Sequence, residues 1–261
     1  METHSDMNLI GFDMNIGRQK PENVIHTNAY CPFCHRETLT DIIDAEGEFL
    51  FLKNKYNVMQ GTDQFVLIES TQHLADIPDY SREKMRHLLR FGVRHWRALQ
   101  ATGKYEDVVF FKNHGSFSGG TIRHPHMQIV GFPKLNPALT YSSADFQGIS
   151  IAEQAGVALN LSLYPRVGFG EFNIVVQEEN LDTIADFIHI AVDFLMRHSG
   201  PNFTSYNLFF YQTPMGMRVK VMPRFATSPL YIGYNIRFRP SNLEDVAKKM
   251  QTLYFAHVAQ S

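Results

Sequence analysis

Two short runs concentrate the reactive side chains of this 261-residue chain: His124-Pro125-His126-Met127-Gln128 and Cys31-Pro32-Phe33-Cys34. In an extended segment side chains alternate faces, so His124, His126 and Gln128 are expected to project to one side. A neutral imidazole is nucleophilic near neutral pH, and attack on phosphorus through a phosphoramidate splits one hard transfer into two easier ones. An amide two residues on suits a phosphoryl oxygen as charge shifts during attack. The preceding loop carries Gly115, Gly119 and Gly120, where backbone N–H groups can approach an anionic phosphate closely. A histidine-rich strand end beside a flexible loop accounts for the same residues, because alternation alone does not make an H-x-H-x-Q segment unique.

Cys31 and Cys34 are the only cysteines, which excludes a disulfide-stapled secreted scaffold. Their spacing offers two thiolates to zinc, but a tetrahedral site needs two further ligands, and histidines must supply them. Twelve histidines are present, and spacing alone does not choose among them. A redox dithiol is the competing reading. No thioredoxin-like strand and helix pattern flanks CPFC, so zinc is favoured.

The elements that must position these groups follow from periodicity. The first 45 or so residues read as irregular. Strands are expected over Phe49 to Leu52, Gln64 to Glu69, Val108 to Asn113 and His126 to Phe132. Met85, Leu88, Leu89, Val93, Trp96 and Leu99 keep helical spacing from Ser81 to Ala101, with Ser81 as N-cap and Gly103 past the end. Trp96 reads as core, whereas His87 and His95 miss the apolar stripe and read as exposed. The same order recurs with a strand over Phe172 to Val176, a helix over Leu181 to Arg197, and strands over Tyr206 to Tyr211 and Arg218 to Met222. Between the halves, Lys134 to Gly170 reads as a connector carrying a short helix near Ile151 to Leu161, and a last helix spans Asn242 to Phe255. A strand-helix-strand-strand unit thus occurs twice, which predicts an internal duplication in an α+β fold with antiparallel sheets and helices packed on one side. The expected division is 1–135 for the half with the chemistry and 136–261 for connector and degenerate half.

Composition limits the partners. Lys plus Arg total 24 against 26 Asp plus Glu, so no basic surface points to nucleic acid or an anionic membrane. Apolar runs fall short of the ~20 residues of a membrane span, and METHSDMN lacks a signal-peptide pattern. A cytoplasmic protein is expected.

The run Phe111 to Pro133, FKNHGSFSGGTIRHPHMQIVGFP, resembles the active-site segment of the galactose-1-phosphate uridylyltransferase branch of the histidine-triad (HIT) superfamily and of the related ADP-glucose phosphorylases. Asn113, Gly115, Gly119, Thr121, His124, His126 and Gln128 fill the family pattern without a gap. CPFC, Leu52 to Tyr56 and Val66 to His73 match flanking segments, and Arg218 onward resembles the phosphorylases more weakly. The resemblance runs from Gly17 to Met250, densest in the first half. It implies a HIT-like fold and a nucleotidyltransferase in which His126 takes a nucleoside monophosphate from an NDP-sugar or dinucleotide and Gln128 stabilises the transferring group. It implies a structural Zn2+ held by Cys31, Cys34, His73 and His124, a ribose contact from Asn54, and phosphate contacts from Asn113 and Thr121 with the glycines between them. Arg18 and Lys20 lie where the family places basic phosphate contacts, and a homodimer is compatible with it.

Departures from the family pattern leave the acceptor open. Met127 stands where Gly or Ser is usual, and Gln128 replaces the third histidine of the hydrolases. In the second half Arg218, Lys220 and Met222 occupy the strand equivalent to the catalytic one. Arg224 either reaches an anionic substrate or pairs with a carboxylate. A nucleotide or dinucleoside polyphosphate hydrolase or phosphorylase, and a catalytically idle nucleotide-binding module, are the alternatives.

Overall fold

The computed structural model describes residues 8–200 and 203–256. Two compact units divide the chain: the segment through Asp76 with His87–Ser142, and Ile77–Arg86 with the segment from Ser143 onward.

The first unit begins with a one-turn helix, α1 (Met14–Gly17), capped by the Asp13 carboxylate. Strands β1 (Ile42–Glu46), β2 (Phe49–Lys53) and β3 (Asp63–Ile68) come next, then helix α2 (Arg82–Ala101), of which the part from His87 on belongs to this unit, then β4 (Asp107–His114) and β5 (His126–Phe132). The strands pair antiparallel in the order β1-β2-β3-β5-β4. β1 was not among the expected strands, since its polar edge sequence carries only a weak strand signal.

Alternation sorts the side chains of this sheet. Leu67 lies opposite Met127 and Phe110 opposite Ile129, and all four are buried on the face that α2 covers. Gly92 permits that approach, because a Cβ there would sit 2.7 Å from the Phe110 ring. Trp96 is core as expected, its indole N–H donating to the Val108 carbonyl at 2.6 Å. On the other face the register aligns Leu52, Val66, Gln128 and Phe111 in one row. The adjoining row holds Leu50, Ile68 and His126.

His95 corrects an expectation. Its ring stacks on Phe51 at 4.2 Å, and Nε2 lies 3.0 Å from the Asp44 carboxylate, so the side chain is largely buried. His87, half-exposed, bonds Glu46. Both tie α2 to the edge strand, through carboxylates that helical periodicity does not reveal.

The second unit contains β6 (Gly148–Gln154), β7 (Val157–Ser162), β8 (Phe172–Val176), α3 (Leu181–His198), β9 (Tyr206–Thr213), β10 (Gly216–Pro223), α4 (Pro229–Tyr234) and α5 (Leu243–Tyr254). Its strand order, β6-β7-β8-β10-β9, repeats that of the first unit, again antiparallel. Asn180 caps α3, its Oδ1 accepting from the Thr183 N–H at 3.0 Å, and Ile184, Ile188, Val192 and Leu195 form the helix's buried stripe.

The short helix expected near Ile151 to Leu161 is a β-hairpin instead. Val157, Leu159 and Leu161 alternate along β7 and are buried, as is Ile151 on β6. Ala155 and Gly156 both have positive φ (47° and 73°), and they join paired residues Gln154 and Val157 in a two-residue turn of the primed kind. An Ala at the first turn position hides that signal. Helix α4 was likewise not expected; the Ser228 hydroxyl and left-handed Asn235 cap it. Among the described residues no helix is long and apolar enough to cross a membrane.

Candidate active site

A cavity of about 420 Å³ opens on the face of the first unit's sheet opposite α2, and its floor is the Leu52, Val66, Gln128 and Phe111 row. Phe33, Leu39 and Ile122 complete an apolar wall, while Lys20, Lys53 and Lys55 are the charged groups on its lining apart from any charge on His126. Among the described residues no carboxylate lines it. An apolar slot with cations and amides at its edge suits a planar base joined to phosphate.

His126 sits in this lining and is 6% exposed. Its Nδ1 lies 2.8 Å from the His124 carbonyl. A carbonyl only accepts, so Nδ1 carries the proton and Nε2 keeps a lone pair. Burial pushes the imidazole pKa down to about 4; the bond to the His124 carbonyl opposes this, and the charges of Lys112, His124 and Lys20 add to it. The ring is therefore neutral at neutral pH, the form a nucleophile requires.

The expected site residues gather unevenly. Asn54, Asn113, Gly119, Thr121, His126 and Gln128 all line the cavity, whereas Gly115 does not. Gly115 and Gly119 have positive φ (82° and 85°), the backbone turns that bring the loop back toward β5. The Asn54 carbonyl oxygen Oδ1 accepts from the Tyr56 N–H at 2.9 Å, a local turn that carries the chain out of β2 at the cavity edge. Lys20 reaches the cavity and burial lowers its pKa, while Arg18 is exposed and outside the lining.

β5 begins at His126, so His124 precedes the strand and its ring turns to the cysteines. Cys34 Sγ lies 3.3 Å from His73 Nδ1 and 3.4 Å from His124 Nδ1, and the ligand atoms of Cys31, Cys34, His73 and His124 all fall within 4.8 Å of one another. Tetrahedral zinc with bonds of about 2.0–2.3 Å places neighbouring sulfur and nitrogen ligands roughly 3.5 Å apart, so the set fits that ion. His124 Nε2 donates to the Ser70 carbonyl at 2.8 Å, which leaves Nδ1 free of a proton and fixes the ring. Burial pushes the Cys34 thiol up to about 11, with Cys31 adding to it, as expected for a donor that a cation must deprotonate.

Several supporting residues escape sequence reading. Asn23 is fully buried, donates its N–H to the Thr121 carbonyl at 2.9 Å and accepts from the Arg123 N–H at 2.6 Å. Behind β5, Lys112 Nζ lies 2.6 Å from Glu69, whose N–H donates to the Pro125 carbonyl at 3.1 Å. These partners are distant in sequence and no local pattern marks them. Phe33 and Tyr30, both on the cavity wall, could have been sought inside and beside CPFC.

In the second unit, Arg218 donates to the carbonyls of Val176 and Met217 at 2.6 and 2.8 Å. Lys220 is fully buried, 3.0 Å from Glu171. Arg224 donates to the Asn207 amide oxygen at 2.7 Å, so the partner it takes here is an amide rather than a carboxylate.

Residues 12–135 match the model of the N-terminal domain of DUF4931, a domain of unknown function, and residues 138–255 match the model of its C-terminal domain. A crystal structure of a DUF4931 family protein from Bacillus cereus ATCC 10987 is 38% identical, with 82% of this chain and 100% of that one covered and a TM-score of 0.75. A uridylyltransferase structure is similar at 15% identity, covering 85% of this chain and 90% of the other, TM-score 0.67. An ADP-glucose phosphorylase from Arabidopsis thaliana with bound ADP-glucose is similar at 16% identity, with the same shares covered and a TM-score of 0.65. The last two likenesses are of fold. No curated protein matches the sequence.

Proposed function

The chain belongs to the DUF4931 family, and we propose that it is a nucleotidyltransferase working through a covalent nucleotidyl-histidine on His126. The observation that carries this reading is the His126 ring itself, buried at the cavity wall with Nδ1 committed to the His124 carbonyl. Nε2 attacks the α-phosphorus of an NDP-sugar or dinucleotide. A P–N bond forms as the P–O bond to the leaving phosphate breaks, and the leaving group departs as a phosphate ester. An oxygen of a phosphate-bearing acceptor then attacks the same phosphorus and the electron pair of the P–N bond returns to Nε2. The Nδ1–H bond to the His124 carbonyl persists throughout and disperses the positive charge of the intermediate ring.

Gln128 holds a non-bridging oxygen of the transferring phosphoryl group. Lys20 and the N–H groups of the Gly119 to Thr121 loop neutralise its charge, Asn113 contacts the phosphates, and Asn54 contacts the ribose. The catalytic power comes from positioning and charge, as is usual for phosphoryl-type transfer. Cys31, Cys34, His73 and His124 would hold zinc. A closed Cys2His2 shell has no open position for substrate, so the metal serves as a tether for the segment that carries His126.

The names of the uridylyltransferase and the ADP-glucose phosphorylase that share this fold support UDP-glucose and ADP-glucose as first probes. The test is isotope exchange: each NDP-sugar is incubated with labelled sugar 1-phosphate, with labelled orthophosphate, or in water alone. Label is expected in the nucleotide with a phosphate-bearing acceptor and in no product of His126→Ala. Turnover only to free nucleoside monophosphate would mean a hydrolase, and tight binding without turnover an idle nucleotide-binding module.

A further inference from the structure

One hydrogen bond does not fix an imidazole. The bond from Nδ1 to the His124 carbonyl pins one edge of the His126 ring and leaves the ring able to pivot about that point. Nε2 sits across the ring from Nδ1, so a pivot of some 25° displaces it by about 1 Å, an error that costs on the order of a hundredfold in a transfer reaction. A second contact is needed to set the ring plane.

We propose that Phe33 supplies it and is a positioning residue for His126. Its ring centroid lies 5.3 Å from that of His126 with an interplanar angle of 67°, and 6.0 Å from that of His124 at 87°. Both are edge-to-face contacts, the arrangement aromatic rings prefer. Phe33 is itself held firmly. It is 7% exposed, packs in one apolar cluster with Leu50, Leu52, Val66 and Ile68, and belongs to the one-turn helix Pro32–Cys34. Cys31 and Cys34 flank it in sequence, and their sulfurs belong to the Cys2His2 cluster. The knuckle therefore places a flat wall against the nucleophile as well as tethering the segment before it. The ring also lines the cavity, so it shields the imidazole from water on that side.

This inference rests on His126 being the nucleophile, and its test separates the two ideas. Phe33→Leu keeps an apolar side chain and removes the ring, and Phe33→Tyr keeps the ring. Histidine-selective 15N NMR at neutral pH, which needs no substrate, reports the His126 tautomer and, through the shift and width of its signals, how well the ring is held. The wild type and Phe33→Tyr are expected to give one sharp set of His126 ring signals, and Phe33→Leu to give shifted and broadened ring signals with the proton still on Nδ1, because the bond to the His124 carbonyl persists. Adduct formation at saturating UDP-glucose or ADP-glucose is expected to slow by at least about tenfold in Phe33→Leu, a larger factor than any change in nucleotide affinity, with metal content unchanged. Unchanged ring signals in Phe33→Leu would overturn the proposal. So would weaker binding at an unchanged rate, which marks a plain cavity wall, or an equal loss in Phe33→Tyr. If the wild type forms no adduct at all, the transferase reading fails while the comparison of ring signals still decides the role of Phe33.

Discussion

At the scale of single residues the site depends on what two neighbouring side chains do with their ring nitrogens. His126 spends Nδ1 on the His124 carbonyl and His124 spends Nε2 on the Ser70 carbonyl. One ring thereby keeps Nε2 available and the other Nδ1, the atoms that the proposed transfer and the proposed zinc shell use. Gln128→Ala is expected to leave nucleotide affinity nearly intact and to slow adduct formation by about 10²–10³, the usual cost of a lost oxyanion donor. Comparable rates in stopped-flow single turnover would remove Gln128 from the mechanism. Cys31→Ser is expected to abolish zinc binding, measured by metal analysis, and to lower the melting temperature. Full metal content in that variant would exclude the proposed shell. The residues of both clusters could be read from spacing and resemblance, because H-x-H-x-Q and C-x2-C are local patterns. Asn23 could not, since it acts through partners such as Arg123 that are remote in the chain.

At the scale of elements, alternation along β3, β4 and β5 assigns one face to α2 and the other to the cavity. Helix α2 and the strands it covers were readable from periodicity. The β6–β7 hairpin was not, because Ala155 takes a left-handed conformation normally signalled by Asn or Gly. Ion pairs between elements were equally hidden. Arg86 Nε and Arg82 Nε donate to the Asp186 carboxylate of α3 at 2.9 and 3.0 Å. Burial raises the Asp186 pKa, but the bonds from Arg86 and Arg82 outweigh it and hold the carboxyl below its ordinary value. Stability from this group is present above the unfolded-state pKa of about 3.9 and is lost as pH falls through the lower folded value. Asp186→Asn is expected to cost about 2 kcal/mol in urea unfolding at neutral pH. The gap to wild type should close in strong acid. A gap that persists there would show that the effect is not the carboxylate's charge.

At the scale of the whole molecule, two units share a strand order and differ in what the last strand of each, β5 and β10, bears. β5 carries His126 and Gln128 toward a cavity, while β10 carries Arg218 and Lys220 into internal bonds. We read the pair as a degenerate duplication in which the first unit kept the chemistry. Lys220→Met leaves Glu171 buried without its cation and is expected to cost about 3–5 kcal/mol of stability. The rate of adduct formation, measured well below the melting temperature, should stay within about twofold because Lys220 belongs to the second unit and is committed to Glu171. A large rate loss in a folded variant would place catalytic groups in the second unit. The near-neutral composition is compatible with this division, since Lys20, Lys53 and Lys55 line the cavity of a chain with 24 Lys plus Arg against 26 Asp plus Glu.

The most direct measurement is intact-protein mass spectrometry of the zinc-loaded chain after brief exposure to UDP-glucose or ADP-glucose. A mass increase equal to one nucleoside monophosphate is expected. It should be acid-labile as a phosphoramidate, map to the peptide containing His126, and be absent from His126→Ala. No adduct on the wild-type protein under conditions of turnover, or an undiminished adduct on His126→Ala, would contradict a nucleotidyl-histidine at this position.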